Sequence, residues 1–440
     1  MRDMQDGWKV VAAMAAAWGL LAMPEAVQAA GFSNTAQSAV ANSMAATGVA
    51  NPREPNTNFY NPANMAGKEG FEGMLGVTLL SPLSSYESFD GSVQTDTQRN
   101  WFPPPNASFS YGFSDTVAVG LGFTMPWGLA VEWPDEWVGR ETIQFQQLQT
   151  FDINPNVAVN IGDTGLKVAA GAQFMLSTLQ LDRRIILRDD TEVQVNLAGA
   201  GQGYGATAAV MYQPTEDLTL GLNYRSAVKL NFDGRSHFEG EEGTTFEDDF
   251  QDGDVTTSLT VPHFLAFGVG YQFNRLFVEA DLNYTTWSTY DEVVIDFEND
   301  SPQDTSTIEA NWNNAIAVRF GAEYQVTENI PVRLGFAYDR TPIPDNTLSP
   351  SLPGNHRLSA SAGLGYSTGK FRVDAGYQLV TTLEREVRNN VAPNGNYQVV
   401  AHVLGLNVGY GFGREGDAES RENQNQSAEP QTAKQPEEEM

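Results

Sequence analysis

The chain has 440 residues, 25 Lys+Arg against 55 Asp+Glu, a formal net charge of −30, no cysteine and four histidines. The acid excess argues against nucleic-acid binding, which Lys and Arg drive. The lack of thiols excludes disulfides, Cys-ligated zinc, iron–sulfur clusters and thiol catalysis. A mean hydropathy of −0.33 is too low for a helical membrane bundle. It leaves a membrane β-barrel open, because only alternate residues of barrel strands meet lipid.

Residues 10–23 form an apolar run behind Lys9. It has the length of a secretory h-region and is too short to span a bilayer. Val27-Gln28-Ala29 supplies the cleavage-site residues, so a signal peptide is expected over 1–29. No later uncharged run reaches the roughly 20 residues of a transmembrane helix. Residues 30–70 are small and polar and do not alternate. So long a stretch before the first strand reads as a hatch folded inside a lumen; a disordered periplasmic arm is the alternative.

From 71 to 413 the period is two. Leu404, Leu406, Val408, Tyr410 and Phe412 alternate with Val403, Gly405, Asn407, Gly409 and Gly411. Val332, Leu334, Phe336 and Tyr338 alternate with Arg333, Gly335, Ala337 and Asp339. Strands place successive side chains on opposite faces, so one face is apolar and the other small or polar. A soluble sandwich also alternates. Aromatic residues ending the apolar face, and glycines with paired charges on the other, favour a membrane barrel. Six short connections (Ser114-Asp115, 162–164, 214–216, Asn274, 327–329, Thr368-Gly369) alternate with seven long ones near 82–104, 126–145, 177–199, 227–261, 285–310, 340–356 and 381–397. The expected fold is all-β: a 14-stranded antiparallel transmembrane barrel, with short periplasmic turns and long external loops.

Residues 231–255 carry nine acids and one base, and 291–310 seven acids and no base. Such runs are solvated loop surface, with calcium binding through Asp252-Gly253-Asp254 as the sharper alternative. Residues 414–440, with eight acids and three bases, read as a disordered periplasmic tail.

Several segments carry a resemblance. Ala30-Gly31-Phe32, Asn61-Pro62-Ala63, Trp133-Pro134 to Arg140, Asn154-Pro155-Asn156, Tyr212 to Ser226, Trp287-Ser288-Thr289-Tyr290, Tyr338 to Asp345 and Leu352-Pro353 occur in order. With them the chain resembles the outer-membrane long-chain fatty acid transport family, the FadL type. The resemblance implies a mature amino terminus at Ala30 and a hatch motif at Asn61-Pro62-Ala63. It also implies uptake of hydrophobic molecules by lateral release at a kinked third strand. The family usually ends on the aromatic residue closing the last strand; here Phe412 is followed by a further 28 residues.

The expected function is therefore an outer-membrane channel of a Gram-negative cell for long-chain fatty acids or similar hydrophobic molecules. It is expected to be no enzyme and to carry no cofactor or metal. Its expected partners are the ligand, outer-membrane lipid and the barrel-assembly machinery, and it is expected to be a monomer. A structural or adhesive barrel using its acidic loops is the alternative. Four groups of residues carry the expectation. Phe32, Asn61, Pro62 and Ala63 form a hatch and gate. Gly120 and Gly122 mark a lateral exit, since glycine weakens a strand. Lys167, Arg225, Arg319, Arg333 and Arg372 lie on polar faces as candidate partners of a ligand carboxylate. The alternative for these five is that they pair with Glu279, Asp281, Glu323, Asp339 and Asp374 to fix the hatch. His237, His263, His356 and His402 have no recognisable Ser/His/Asp setting and are read as structural.

The loop alternation predicts that 231–255 is extracellular and 414–440 periplasmic. An epitope near Gly240 should be labelled on intact cells and one near Gln424 should not; the reverse pattern would invert the topology.

Overall fold

The computed structural model describes residues 31–187, 191–240, 250–298 and 305–412. The expected leader 1–29 and the tail 414–440 lie outside the described residues.

Twenty-one strand segments join one antiparallel sheet. Segments that continue one another across a local break make fourteen crossing strands. They are β1 (Gly70–Glu87), β2 (Pro105–Gly112), β3 (Val117–Thr124 and Gly128–Glu132), β4 (Phe145–Asn160), β5 (Leu166–Ile186) and β6 (Glu192–Tyr212). Next come β7 (Leu218–Arg225 and Val228–Glu239), β8 (Gly253–Val261 and Phe264–Phe273), β9 (Leu276–Thr285 and Glu292–Phe297) and β10 (Thr305–Glu309 and Ala315–Thr327). The wall ends with β11 (Ile330–Asp339), β12 (Arg357–Thr368), β13 (Phe371–Thr382) and β14 (Gly395–Phe412). β14 pairs with β1 from Phe71↔Phe412 to Glu87↔Asn396 and closes the cylinder. Closure removes the two outer edges that an open sheet would present to hydrocarbon.

The apolar face points outward: Leu406 is 53% exposed, whereas its neighbour Asn407 is 3% exposed. The short turns fall where the sequence places them, and Asn274 adopts the left-handed φ of 50° that a tight turn needs. Two expected loops are instead largely strand. β5 runs on to Ile186 and β6 starts at Glu192; β7 runs on to Glu239 and β8 starts at Gly253. The outward residues of the β5 extension, Gln180, Asp182 and Arg184, are polar. Above the bilayer no lipid demands an apolar outer face, so the hydropathy signal ends before the strand does.

Residues 31–69 fill the lumen. Helix α1 (Ala39–Ser43) is capped by Ser38, whose hydroxyl accepts from Ala41 N at 3.0 Å. The chain then turns through Ala45 and Ala46, with φ of 56° and 63°. This left-handed pair is costly for alanine. Ala45 N donates to Ser361 Oγ at 2.8 Å and Arg319 Nη1 donates to Ala45 O at 3.0 Å, which hold it there. Three successive hatch amides meet carboxylates of β9: Gly48 N and Val49 N donate to Asp281 Oδ2 (3.1 and 3.4 Å), and Ala50 N to Glu279 Oε1 (2.6 Å). The inward glycines of the wall let the hatch backbone lie this close. A Cβ on Gly376 or Gly405 would collide with Ala39, and one on Gly221 or Gly268 with residues 49–50.

Glu54 of the hatch is buried; its Oε1 accepts from Asn56 N at 2.9 Å. Burial pushes its carboxyl up to about 7, against the pull of Ser38, the Asn56 N–H and Arg372. The docked hatch therefore favours the protonated acid. That contribution is fully present below the ordinary value of 4.5 and lost as pH rises through about 7. Proteolysis of the hatch in the purified barrel should accelerate between about pH 5 and about pH 8. Glu54→Gln should flatten that dependence; an unchanged profile would assign it to other groups.

Candidate functional site

The wall is discontinuous at β3. Its first segment pairs with β2 as far as Ala107↔Phe123, and with β4 as far as Thr124↔Asp152. After Met125-Pro126-Trp127 it resumes at Gly128↔Gln149, paired with β4 alone. Three residues on β3 there face two on β4, which is a bulge. On the other side, Pro103, Pro104 and Pro105 lack N–H donors, and Phe102 turns to β1, exchanging both ladder bonds with Leu80 at 2.8 Å. A seam without ladder pairs opens between β2 and β3 among the described residues. It is bounded above by Gln98 N donating to Glu132 O at 2.8 Å.

The amino-terminal end of the hatch covers the break. Ser33 bridges Trp127, Asn34 N donates to Pro126 O at 2.8 Å, and Gly128 N donates to Phe32 O at 2.9 Å. Met125 O accepts from Asn34 Nδ2 (3.1 Å) and Gln37 Nε2 (2.8 Å). These donors and acceptors replace the missing ladder.

Phe32 is 4% exposed and sits in an aromatic cage. Its ring centroid is 4.7 Å from Trp287, 5.6 Å from Tyr290, 5.7 Å from Trp312 and 6.2 Å from Trp127. It divides two cavities. The outer one, about 610 Å³, is lined by Phe32, Leu148, Leu179, Leu181, Phe232, Leu259, Tyr290 and Trp312 among others. The inner one, about 430 Å³, is lined by Phe32 and by both edges of the seam, Phe102 to Pro105 and Gly128 to Val131. Long connecting segments roof the outer cavity at this end of the barrel. Trp133 and Trp137 stack at 4.2 Å, Trp133 Nε1 donates to Pro350 O (3.1 Å), and Arg385 pairs with Asp345 (2.6 Å).

The structure separates the residues singled out from sequence. Phe32 is at the cavity boundary. Asn61, Pro62 and Ala63 are not: Asn61 Nδ2 donates to Val49 O (2.8 Å) and to Val210 O of β6 (3.0 Å), and its Oδ1 caps the turn at Pro62–Met65. Ala63 packs with Met65, Ala118, Ala158 and Met211. The motif joins the hatch to the wall. Gly120 and Gly122 lie in the regularly paired part of β3. A Cβ on Gly120 would strike Asn58 and Met65, and one on Gly122 would strike Asn58. They make room for the hatch, and the break in pairing lies beyond them, at 125–127.

Of the five basic candidates, four are away from the cavities. Arg225 pairs with Asp152 and lies over the Phe59 ring at 4.9 Å. Arg333 pairs with Glu323 (2.6 Å) and Asp374 (2.9 Å), and Arg372 with Asp374 (2.5 Å) and the Arg53 carbonyl (2.8 Å). Lys167 lies against Gly67 at the foot of the hatch. Arg319 does line the inner cavity, paired with Asp339. Sequence reasoning missed its companion. Arg357 lines the same cavity and its Nη2 donates to Gly31 O at 2.7 Å. Its inward parity with Ser359 and Ser361 was the available signal. Two guanidinium groups and one carboxylate leave a net positive charge at the inner cavity.

Three histidines share a hydrogen bond between Nδ1 and a tyrosine hydroxyl: His263 with Tyr224 (2.9 Å), His356 with Tyr338 (2.7 Å) and His402 with Tyr377 (2.9 Å). His237 lies between Asp252 (2.6 Å) and Glu239 (3.1 Å), which raise its pKa. Asp254 faces Arg235. Asp252, Glu239 and Asp254 are thus engaged with bases, and no group of three or more His, Asp or Glu among the described residues is arranged to hold a metal.

Residues 20–412 match the family of outer membrane protein transport proteins typified by OMPP1, FadL and TodX. The chain belongs to this family. It is an outer-membrane transport channel of the Gram-negative envelope, not an enzyme. It is 26% identical to outer membrane protein P1 of Haemophilus influenzae over 381 residues, covering 76% of this chain and 81% of that protein. It is 25% identical to the long-chain fatty acid transport protein of Escherichia coli over 404 residues, covering 81% and 86%. The fold matches a Pseudomonas aeruginosa FadL homologue with a TM-score of 0.78 at 20% identity, covering 87% of this chain and all of that one. It also matches the Ralstonia pickettii toluene transporter TbuX with a TM-score of 0.67 at 18% identity, covering 86% and 98%.

The cage makes Phe32 the divider to test. Truncating a buried Phe to Ala costs roughly 3–5 kcal/mol where the packing is complete. Phe32→Ala should release 31–35 from β3, join the cavities and shift the emission of the surrounding tryptophans, with the barrel still heat-modifiable. Unchanged emission and unchanged protease resistance at the amino terminus would show that the backbone bridge alone holds the segment.

Proposed function

We propose that this channel takes up long-chain fatty acids or closely similar hydrophobic acids and releases them sideways into the outer membrane. The observation that carries this reading is the inner cavity. Phe32 closes it toward the outside, and the seam between β2 and β3 forms its opposite wall. A ligand displacing Phe32 would also disturb the Ser33–Trp127 bridge, which is the material closing the bulge. Entry and exit are then coupled through one short segment. A ligand shifts such an equilibrium only by its differential affinity for the two positions; the space now held by the Phe32 ring supplies that difference. The lateral exit is assigned to residues 125–132 rather than to Gly120 and Gly122.

The acid preference rests on Arg319, Arg357 and Asp339. A carboxylate would complete this unequal charge set through charge-assisted bonds. A neutral aromatic hydrocarbon, the cargo in the name of the toluene transporter, would leave it incomplete. Purified protein should bind palmitate, and cells carrying it as their sole uptake channel should grow on long-chain fatty acid. Ala401→Trp, which fills the inner cavity, should abolish growth while leaving a folded barrel in the membrane. Toluene binding without palmitate binding would replace the fatty acid reading with an aromatic one.

A further inference from the structure

The three tyrosine–histidine pairs lie on the outer surface of the wall, and the transport reading does not use them. Tyr224, Tyr338 and Tyr377 share the outward parity of Leu222, Phe336 and Leu379, all three exposed. In each pair the imidazole and phenol rings are nearly parallel, at 18°, 15° and 29°.

The pairs mark a level on the barrel. His263 stands ten residues before Phe273 at the end of β8, His356 twelve before Thr368 at the end of β12, and His402 ten before Phe412 at the end of β14. At about 3.3 Å per residue and a tilt of about 40°, these lengths rise roughly 25–30 Å. The apolar band of an outer-membrane barrel is about 25 Å tall. The histidines thus stand at the rim of that band, at the end that carries the long connections.

At His356 a cation joins the pair. Asp339↔Arg357 is the last ladder pair of β11 with β12, so Arg340 and His356 are the next residues on the two chains. Parity turns Arg340 outward with Tyr338. Its N–H donates to Ile316 O at 3.0 Å, which fixes its backbone against β10. Arg340 and Ile316 also close, from the wall side, a small crevice of about 50 Å³. The carboxylates of this region are engaged elsewhere: Asp339 pairs with Arg319 on the inner face, and Asp345 with Arg385 at 2.6 Å. Glu384, exposed beyond Leu383, makes no ion pair with Arg340. The charged groups that bear on His356 are Arg385 and Arg340, with no carboxylate among them. Below this pair the outer face is apolar, with Tyr338 between Val318 and Leu358, and Phe336 between Phe320 and Ala360.

A guanidinium at the rim of a lipid-facing surface meets the head groups of the surrounding leaflet, and its planar fork matches phosphate oxygens in two bonds. The histidine supplies a further donor. With the Tyr338 hydroxyl donating to Nδ1, Nε2 carries the hydrogen and points it away from the pair. At His263 this tautomer is imposed, because the Ala227 N–H also donates to Nδ1, at 3.1 Å. We infer that Arg340 and His356, with Tyr338 positioning the imidazole, form a site on the outer surface for a phosphate group of outer-leaflet glycolipid. The acyl chains of that lipid lie along Val318, Phe336 and Leu358. The inference rests on the outward orientation of the long connections and is independent of the cargo.

The test titrates the purified full-length barrel with bisphosphorylated lipid A, dephosphorylated lipid A, dipalmitoylphosphatidylglycerol and inorganic phosphate, and reads retained lipid by native mass spectrometry. Wild type should retain lipid A in preference to its dephosphorylated form. Arg340→Gln should weaken lipid A by about tenfold or more and leave the dephosphorylated lipid unchanged, and Arg340→Lys should restore part of the preference. His402→Gln, whose ladder neighbours are Leu379 and Ser81, should change neither. Equal retention of the two lipid A forms by wild type would overturn the inference. So would an equal loss of both in Arg340→Gln, which would mark a packing role. Phosphatidylglycerol retained as tightly, with the same dependence on Arg340, would overturn the glycolipid assignment. Displacement of lipid A by millimolar inorganic phosphate would replace the lipid with a free anion. Should Arg340→Gln not fold, the wild-type comparison and Arg340→Lys still decide the matter.

Discussion

Every backbone N–H and C=O that faces hydrocarbon must find a partner inside the protein. Most strand-to-strand seams among the described residues do this by ladder pairing, and the closure of β14 on β1 is among them. The two seams that flank β3 do not along their whole length. At β3 the bulge at 125–127 and the prolines at 103–105 take ladder partners away, and the hatch segment around Phe32 to Asn34 supplies substitutes. The wall is complete only while that segment is docked. This couples the inside of the lumen to the lipid.

The rest of the hatch is held differently. Its amides at 48–50 bond to Asp281 and Glu279, Asn61 spans to β6, and Arg53 joins Glu323 at 2.8 Å. Arg333 sits fully buried between Glu323 and Asp374. Removing one partner from such a set leaves an uncompensated charge, at a cost of about 3–5 kcal/mol. The inward glycines contribute by absence, since a methyl group at Gly376 or Gly221 would push the hatch off the wall. The segment at 31–37 is held by its bridge to Trp127, the Arg357–Gly31 bond, side-chain bonds to Met125, an aromatic cage around Phe32, and hydrogen bonds of residues 35–37 with Tyr60, Thr78 and Asn56.

Charge differs between the two cavities. The outer one is lined by Arg183 together with Glu141 and Glu309, and the inner one by Arg319 and Arg357 against Asp339. Deeper in the lumen, Arg53, Arg333 and Arg372 share the carboxylates of Glu323 and Asp374.

The sequence by itself determined the barrel. Alternation of period two, six tight turns and the small, polar run before β1 are local properties, and lipid imposes them residue by residue. Phe32 was legible through resemblance, and the fixation of the hatch by Arg333, Arg372 and the lumen acids through parity. Tertiary structure decided the rest. β5 and β7 run on where no outer hydropathy records them, so Leu179 and Leu181 of the outer cavity lay hidden in an apparent loop. The break in ladder pairing lies at 125–127 and not at Gly120 and Gly122, because a missing ladder bond is a property of two strands, and one strand's sequence cannot record it. The bonds of Asn61 to Val49 and Val210, and the place of Arg357 at the inner cavity, are visible only in the fold for the same reason. Which inward side chain meets the hatch, another arginine or open space depends on register around a closed cylinder, and register is set by all fourteen strands together.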